Sequence, residues 1–401
     1  MVSERASKLH FSSLVFDTHS DSLARAVDDG EDLGTETGKG HLDLPRMRAG
    51  NQKAQFFAGF VDPGRFTPKD AVKRVTAYFD AHDELCAEYP SEIEQARTAA
   101  DVRRITGEDK IAGILCVEGG HAMVDSLEVL GMFHERGVRY MTLTHNMSNK
   151  WADGIQDEAG DEAPTNWQEG RAAFIRDGWM SGDSRHNGLT DFGREVVREM
   201  NRLGVIVDIS HVARKTFWDA IETTTKPVMA SHSSAWTICQ NPRNINDEQL
   251  KAVAENNGVV CVNYEVTFVS QACNLATREI DRWRDARLAE VEKEHAGDAE
   301  ALKQAKDAVK AEHSERSAPE LKKPQYTELV DHIDHMVGVA GIDHVGLGSD
   351  FDGSRTPTGM EDCSKVPWIT EEMLNRGYSD GDVQKVLGLN VLRVLETVVG
   401  E

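Results

Sequence analysis

Six short segments of this chain carry residue types that bind divalent cations or move protons. Asp17-Thr18-His19-Ser20-Asp21 contains an HxD pair, and Glu118-Gly119-Gly120 offers a carboxylate. His145-Asn146, Ser210-His211 and Ser231-His232-Ser233-Ser234 offer imidazoles, and Ser349-Asp350-Phe351-Asp352-Gly353 adds two acids. His19 and Asp21 are two residues apart, so on a strand both side chains leave on one face. An imidazole and a carboxylate on one face suit a borderline cation such as zinc. His211 and His232 supply further nitrogens, and Glu118, with two oxygens, can bridge two cations. A tetrahedral catalytic zinc takes three protein ligands and a water. Three histidines and two carboxylates exceed that, and fit two Zn²⁺ about 3.5–4 Å apart sharing a carboxylate and a hydroxide. Asp350 alone reads equally as a capping or a catalytic acid; beside a metal pair it reads as catalytic, with Asp352 supporting it.

These residues are scattered over more than 300 positions, so the fold must gather them. Eight short apolar runs recur along the chain, and six of them lead into these segments: Leu14 to Thr18, Phe56 to Val61, Ile111 to Val117, Tyr140 to Thr144, Val205 to Ile209, Pro227 to Ala230, Val259 to Asn263 and His344 to Gly348, all but the second and seventh. They are β-branched and apolar on both faces, as in a parallel sheet buried by helices. Amphipathic stretches alternate with them, at Pro68 to Tyr89, Leu127 to Arg136, Thr190 to Leu203 and Ala213 to Thr223. Thr190 and Asp191 are suitable N-caps, and Gly204 a C-terminal stop. Eight alternations predict an α/β fold, a (β/α)8 TIM-like barrel, with a doubly wound sheet as the runner-up. In such a barrel every candidate segment opens on the carboxyl rim, where barrel active sites lie. Residues 1–401 read as one metallohydrolase domain. Its departure is a charged helical insertion at about 278–323 that reads as a solvated excursion, or a lid or dimer contact.

Composition narrows the partners. The 401 residues carry 68 acidic and 45 basic side chains, a net charge of −23, which repels nucleic acid and anionic membranes. No apolar run reaches membrane-spanning length. Met1 to Phe11 lacks a signal-peptide core, so the chain reads as cytoplasmic, or as periplasmic or secreted after removal of an export signal. The six cysteines show neither CxxC nor zinc-finger spacing, and Cys116 reads as core packing. Of 15 histidines most are discounted; His332 and His335, at helical spacing in an acidic stretch, read as helix surface. No GxSxG elbow or glycine-rich phosphate loop competes with the metal reading. Arg243, in Asn241-Pro242-Arg243-Asn244, reads by itself as an ordinary surface arginine.

Together the motifs resemble the renal or membrane dipeptidases and their bacterial homologues, amidohydrolase-like metallopeptidases. The likeness runs from Asp17 to Glu396 outside the charged insertion. It includes Leu44-Pro45-Arg46-Met47-Arg48-Ala49-Gly50, Val117-Glu118-Gly119-Gly120-His121, Trp151-Ala152-Asp153 and Gly359-Met360-Glu361-Asp362. The resemblance implies that His19, Asp21 and Glu118 hold one zinc and that Glu118, His211 and His232 hold the second. It implies that His145 contacts the substrate carbonyl, Arg243 receives the dipeptide carboxylate and Asp350 moves the proton. The expected reaction is hydrolysis of a dipeptide, including one with a C-terminal D-residue, by a metal-bridging hydroxide. Other metallohydrolase chemistries (deacylase, lactonase, phosphotriesterase) share such a metal pair, and Arg243 discriminates against them; a non-catalytic barrel would not keep the full ligand set. The family also suggests a homodimer, and places Cys239 and Cys273 where relatives can carry a disulfide. Asn263-Tyr264-Glu265 matches it only in part.

Overall fold

The computed structural model describes residues 2–63, 65–156, 186–320 and 323–400. Among them are nine strands: β1 (Val15–Ser20), β2 (Gln52–Phe60), β3 (Ile93–Gln95), β4 (Ile111–Glu118), β5 (Val138–Thr142), β6 (Ile206–Asp208), β7 (Met229–Ala230), β8 (Val259–Val262) and β9 (Val345–Leu347). All their pairings are parallel, β2 joins β4 directly, and β1 joins β9. Eight strands therefore close on themselves and leave no sheet edge, which excludes the doubly wound alternative. All eight apolar runs are the barrel strands. The ninth, β3, takes the first part of the β4 edge whose later part pairs with β5. Its three residues hold one apolar side chain, Ile93, too little to announce a strand.

The alternation along β4 shows how the barrel is filled. Ala112, Ile114 and Cys116 face an inner cluster with Phe16, Phe56, Tyr140, Ile206, Met229 and Cys261. Ile111, Leu115 and Val117 face the layer between strands and helices. Continuing the period of two turns Glu118 inward above Cys116, which is core packing as expected. Phe56 stacks on Phe16 and meets Tyr140 at a tilt, with centroids 5.4 and 4.9 Å away, contacts worth about 1 kcal/mol each beyond their burial. Helix Asn390–Val399 adds Val391, Val394, Leu395 and Val398 to the same cluster.

The expected helices form at Pro68–Glu88, Leu127–Arg136, Asp191–Leu203 and Arg214–Thr223. Thr190 is the N-cap, its hydroxyl accepting from the Gly193 amide, and Gly204 ends the helix at φ 78°. Asp191 is the first helical residue, not a second cap.

Between β8 and β9 two long helices, Gln271–Glu294 and Ala299–Glu320, form a hairpin. It starts earlier than its composition suggested, because Cys273 and Asn274 bury its base. Arg316 stacks on Trp283 at 4.0 Å, and His313 lies 2.9 Å from Asp281, tying the two helices together. All six cysteines are thiols, Cys239 and Cys273 both buried. Among the described residues no helix is long and apolar enough to cross a membrane.

Candidate metal centre and active site

The barrel brings His19, Asp21, Glu118, His145, His211, His232 and Asp350 to one rim. His19 Nε2 lies 3.7 Å from Asp21 Oδ2 and 3.6 Å from Glu118 Oε2. Glu118 Oε1 is 3.0 Å from His211 Nε2, 3.5 Å from His232 Nε2 and 4.0 Å from His145 Nε2. Glu118 thus stands between two histidine groups, one oxygen toward each. Asp350 shares a cluster with His19 and Asp21 whose ligand atoms all lie within 4.8 Å of one another.

The far side of each ring fixes its tautomer. The Tyr140 hydroxyl donates to the Thr18 carbonyl at 3.0 Å, so it accepts the Nδ1 hydrogen of His19 at 2.6 Å. His211 Nδ1 lies 2.7 Å from the Asn146 side-chain oxygen, an acceptor. His232 Nδ1 lies 2.7 Å from the Ser231 hydroxyl, whose hydrogen goes to the Asp208 carboxylate at 2.6 Å. In its neutral form each ring spends its hydrogen outward and turns the Nε2 lone pair inward, where a proton or a cation can meet it. The Nε2 atoms of His211 and His232 stand 2.7 Å apart. Two lone pairs at that distance repel unless a cation or proton lies with them. His19 Nε2 is buried with no hydrogen-bond partner among the described residues. A nitrogen set oriented this way, with Glu118 between and Asp21 beside it, fits divalent metal.

Electrostatics follow the same geometry. Against the effect of burial, His19, His211 and His232 hold the Glu118 carboxyl well below its usual range. His19, again against burial, is raised by Glu118 and Asp21. Burial first, then Arg243, pushes His211 well down; burial and the neighbouring His19 do the same to His232. Burial, with the charges of Asp21 and Glu118 adding to it, raises Asp350 to about 8. Asn263 donates to Asp350 Oδ2 at 3.0 Å and works against that rise.

Three of these positions have left-handed backbones: His211 at φ 67°, Asp350 at 60° and Asp352 at 66°. Such strain persists in non-glycine residues where the surroundings over-determine it, commonly at active sites. Asp352 supports the loop from below: it accepts from Ser22 Oγ at 2.6 Å, Arg25 at 3.0 Å and the His41 amide at 2.6 Å. Gly353 has no room for a side chain, since a Cβ there would collide with the Asp21 and Asp350 carboxylates.

Two expectations from the sequence are corrected. Arg243 is not a surface residue but 3% exposed, its guanidinium 5.4 Å from the Phe268 ring and donating to the His232 carbonyl at 3.3 Å. Burial lowers its pKa to about 10. His332 is not helix surface but fully buried, while His335 does pair with Asp247 at 2.7 Å. A signal for His332 existed: Leu329, His332, Ile333 and Met336 lie on one helical stripe, and all four are buried. Tyr140, Asn146, Ser231, Asp208 and Asn263 carry no motif of their own, though two of them, Asn146 and Ser231, directly adjoin candidate residues.

The rim opens into a cleft of about 840 Å³. Phe60, Phe66, Arg74 and Tyr78 form one side, and Asn274, Arg278 and Asp281 of the hairpin form another. His145 stands in it, its ring centroid 4.6 Å from Phe60.

A parallel (β/α)8 barrel whose carboxyl rim gathers inward-facing imidazoles and carboxylates defines a metal-dependent hydrolase. Comparison with known proteins narrows the class. The family model "Membrane dipeptidase (Peptidase family M19)" matches residues 3–400. The dipeptidase tcpJ of Claviceps purpurea (strain 20.1) is 33% identical over 367 residues, covering 90% of this chain and 69% of that protein. The crystal structure of the probable dipeptidase PvdM from Pseudomonas aeruginosa superposes with a TM-score of 0.80 at 25% identity, covering 98% of both chains. A metallopeptidase from Rhodobacter sphaeroides, liganded with a phosphinate mimic of the dipeptide L-Ala-D-Ala, gives 0.73 at 24% identity over 96% of this chain and 99% of its own. The chain belongs to the membrane dipeptidase family, peptidase family M19. It is a metallo-dipeptidase, an enzyme that requires a metal and takes dipeptides as substrate.

Proposed function

We propose that residues 1–401 act as one domain, a zinc-dependent dipeptidase with a binuclear centre. His19, Asp21 and Glu118 hold one ion, and Glu118, His211 and His232 hold the other. The observation that carries this reading is the convergence of three inward-turned Nε2 atoms on the two oxygens of Glu118. When bound, such a pair of cations supplies Lewis acidity and brings the pKa of a shared water toward neutrality.

The chain's own groups do the rest. Arg243 grips the substrate's C-terminal carboxylate with parallel hydrogen bonds, which restricts substrates to short peptides with a free carboxyl end. His145 faces the scissile carbonyl and stabilises its oxygen as charge develops there. Asp350 takes a proton from the attacking water and returns it to the leaving amine.

The ligand of the Rhodobacter relative makes an L,D-dipeptide a substrate to test here. Metal analysis of the purified enzyme should find about two zinc ions per chain. The metal-loaded enzyme should hydrolyse L,L- or L,D-dipeptides but not their C-terminal amides. Equal turnover of amides, or of lactones and phosphotriesters, would refute the carboxylate-directed reading.

A further inference from the structure

His332 sits on helix Thr327–Ala340, outside the ring of candidate ligands, and joins two segments distant in the chain. The Ala235 amide donates to its Nδ1 at 2.9 Å, and its Nε2 lies 2.9 Å from the Val269 carbonyl. An amide donating to Nδ1 requires a lone pair there, so the ring is the neutral tautomer with its hydrogen on Nε2, given to Val269.

Both anchor points belong to the slot that holds Arg243. Ala235 ends the segment whose His232 carbonyl and Ser233 hydroxyl accept from the guanidinium at 3.3 and 3.5 Å. Val269 ends the short helix Val266–Val269, whose Phe268 ring covers the guanidinium at 5.4 Å. One wall of the slot is polar and the other aromatic, and one imidazole ties them together from behind. Asn244 ties the same walls from within the Arg243 loop. Its oxygen accepts from the Ser234 amide at 3.1 Å, and its nitrogen donates to the Phe268 carbonyl at 2.8 Å. A guanidinium recognises a carboxylate through a fixed fork, so its aim depends on the spacing of these walls.

We propose that His332 is a positioning residue for substrate recognition. By clamping Ala235 to Val269 it holds Arg243 in the orientation that receives the dipeptide's carboxylate. This rests on the role of Arg243 proposed above. His332 touches neither substrate nor the candidate metal ligands, so its loss acts on binding and not on turnover.

Steady-state kinetics on the zinc-loaded enzyme test it with three variants. His332→Leu fills the space but loses both hydrogen bonds, and should raise KM for a dipeptide at least about fivefold, with kcat and bound zinc retained. His332→Gln keeps an acceptor and a donor, and should restore KM toward the wild-type value. Should His332→Leu not fold, His332→Asn, polar but too short to span both partners, should show the same KM rise. A purely structural role would lower the melting temperature without this KM split and without rescue by glutamine.

Arg243→Ala separates the two ideas. If it raises KM while folded, zinc-loaded His332→Leu or His332→Asn does not, the clamp is overturned and the carboxylate reading stands. If Arg243→Ala itself leaves KM unchanged, the carboxylate reading fails and takes the clamp with it.

Discussion

The Tyr140 hydroxyl lies 2.6 Å from His19 Nδ1 and gives its own hydrogen to the Thr18 carbonyl. That single bond decides which nitrogen of His19 faces the candidate metal centre. Removing such an outer partner typically costs 10- to 100-fold in metal affinity, roughly, while leaving the fold intact. Tyr140→Phe should therefore lose zinc at chelator concentrations that the wild type tolerates and regain most activity at saturating zinc. Competition titration with a chromogenic chelator measures this.

Asp350 receives a hydrogen bond from Asn263 and lies beside Asp21 and His19. Asp350→Asn keeps the shape and the neighbours but cannot take a proton. Its kcat should fall by about 10²–10⁴, the range for general acid–base catalysis, with zinc content unchanged. Near-normal turnover would remove Asp350 from the proton path.

Arg243 makes its approach from a buried slot and not from the surface. Arg243→Ala should raise KM for dipeptides by more than about tenfold, since charge-assisted pairs are worth roughly 1.5–3 kcal/mol. Arg243→Lys should recover only part of that, because an ammonium lacks the planar fork.

Acid should destabilise the fold through buried histidines outside the candidate ligand set. Burial pushes His10, His82 and His332 down to about 4 from 6.5. Between those values the unfolded chain binds protons that the native chain refuses, so stability rises with pH there. The contribution is complete above pH 6.5, fades as pH falls toward 4, and changes no further below it. Each histidine supplies up to roughly 3 kcal/mol of this dependence. Urea midpoints at pH 5 and 7 should differ, and His82→Leu should narrow the gap relative to wild type at equal zinc.

Metal held by the proposed ligands would link metal binding to the fold. A cation held only by the native state raises stability by mass action, about 2.7 kcal/mol at a hundredfold excess over Kd. Chelation should abolish hydrolysis and lower the melting temperature, and both should return with zinc. An unchanged melting temperature would speak against a centre that spans several strands.

The eight barrel strands were legible because strands buried on both faces must be apolar throughout, as in Ile111–Glu118 and Val259–Val262. The candidate ligands were legible because each follows such a run directly or within three residues. What escaped was burial created by tertiary packing. Arg243 looks like a surface residue because nothing local announces that Phe268, 25 positions on, will cover it. His332 was masked by its acidic neighbours Asp331 and Asp334, although its spacing from Leu329 and Met336 marks the inner stripe. The left-handed conformations at His211, Asp350 and Asp352 leave no trace in sequence, because glycine, the usual sign, is absent at those positions.

The pairing of β2 with β4 runs in unbroken register from Ala54 opposite Ala112 to Phe60 opposite Glu118. A slip of one residue in this ladder would swing Glu118 to the outer wall and strand it in hydrocarbon, away from every histidine. The candidate centre can therefore assemble only in a correctly indexed barrel. Zinc uptake during refolding should report completion of the cylinder, and a misthreaded chain would betray itself as protein that folds compactly yet comes up empty.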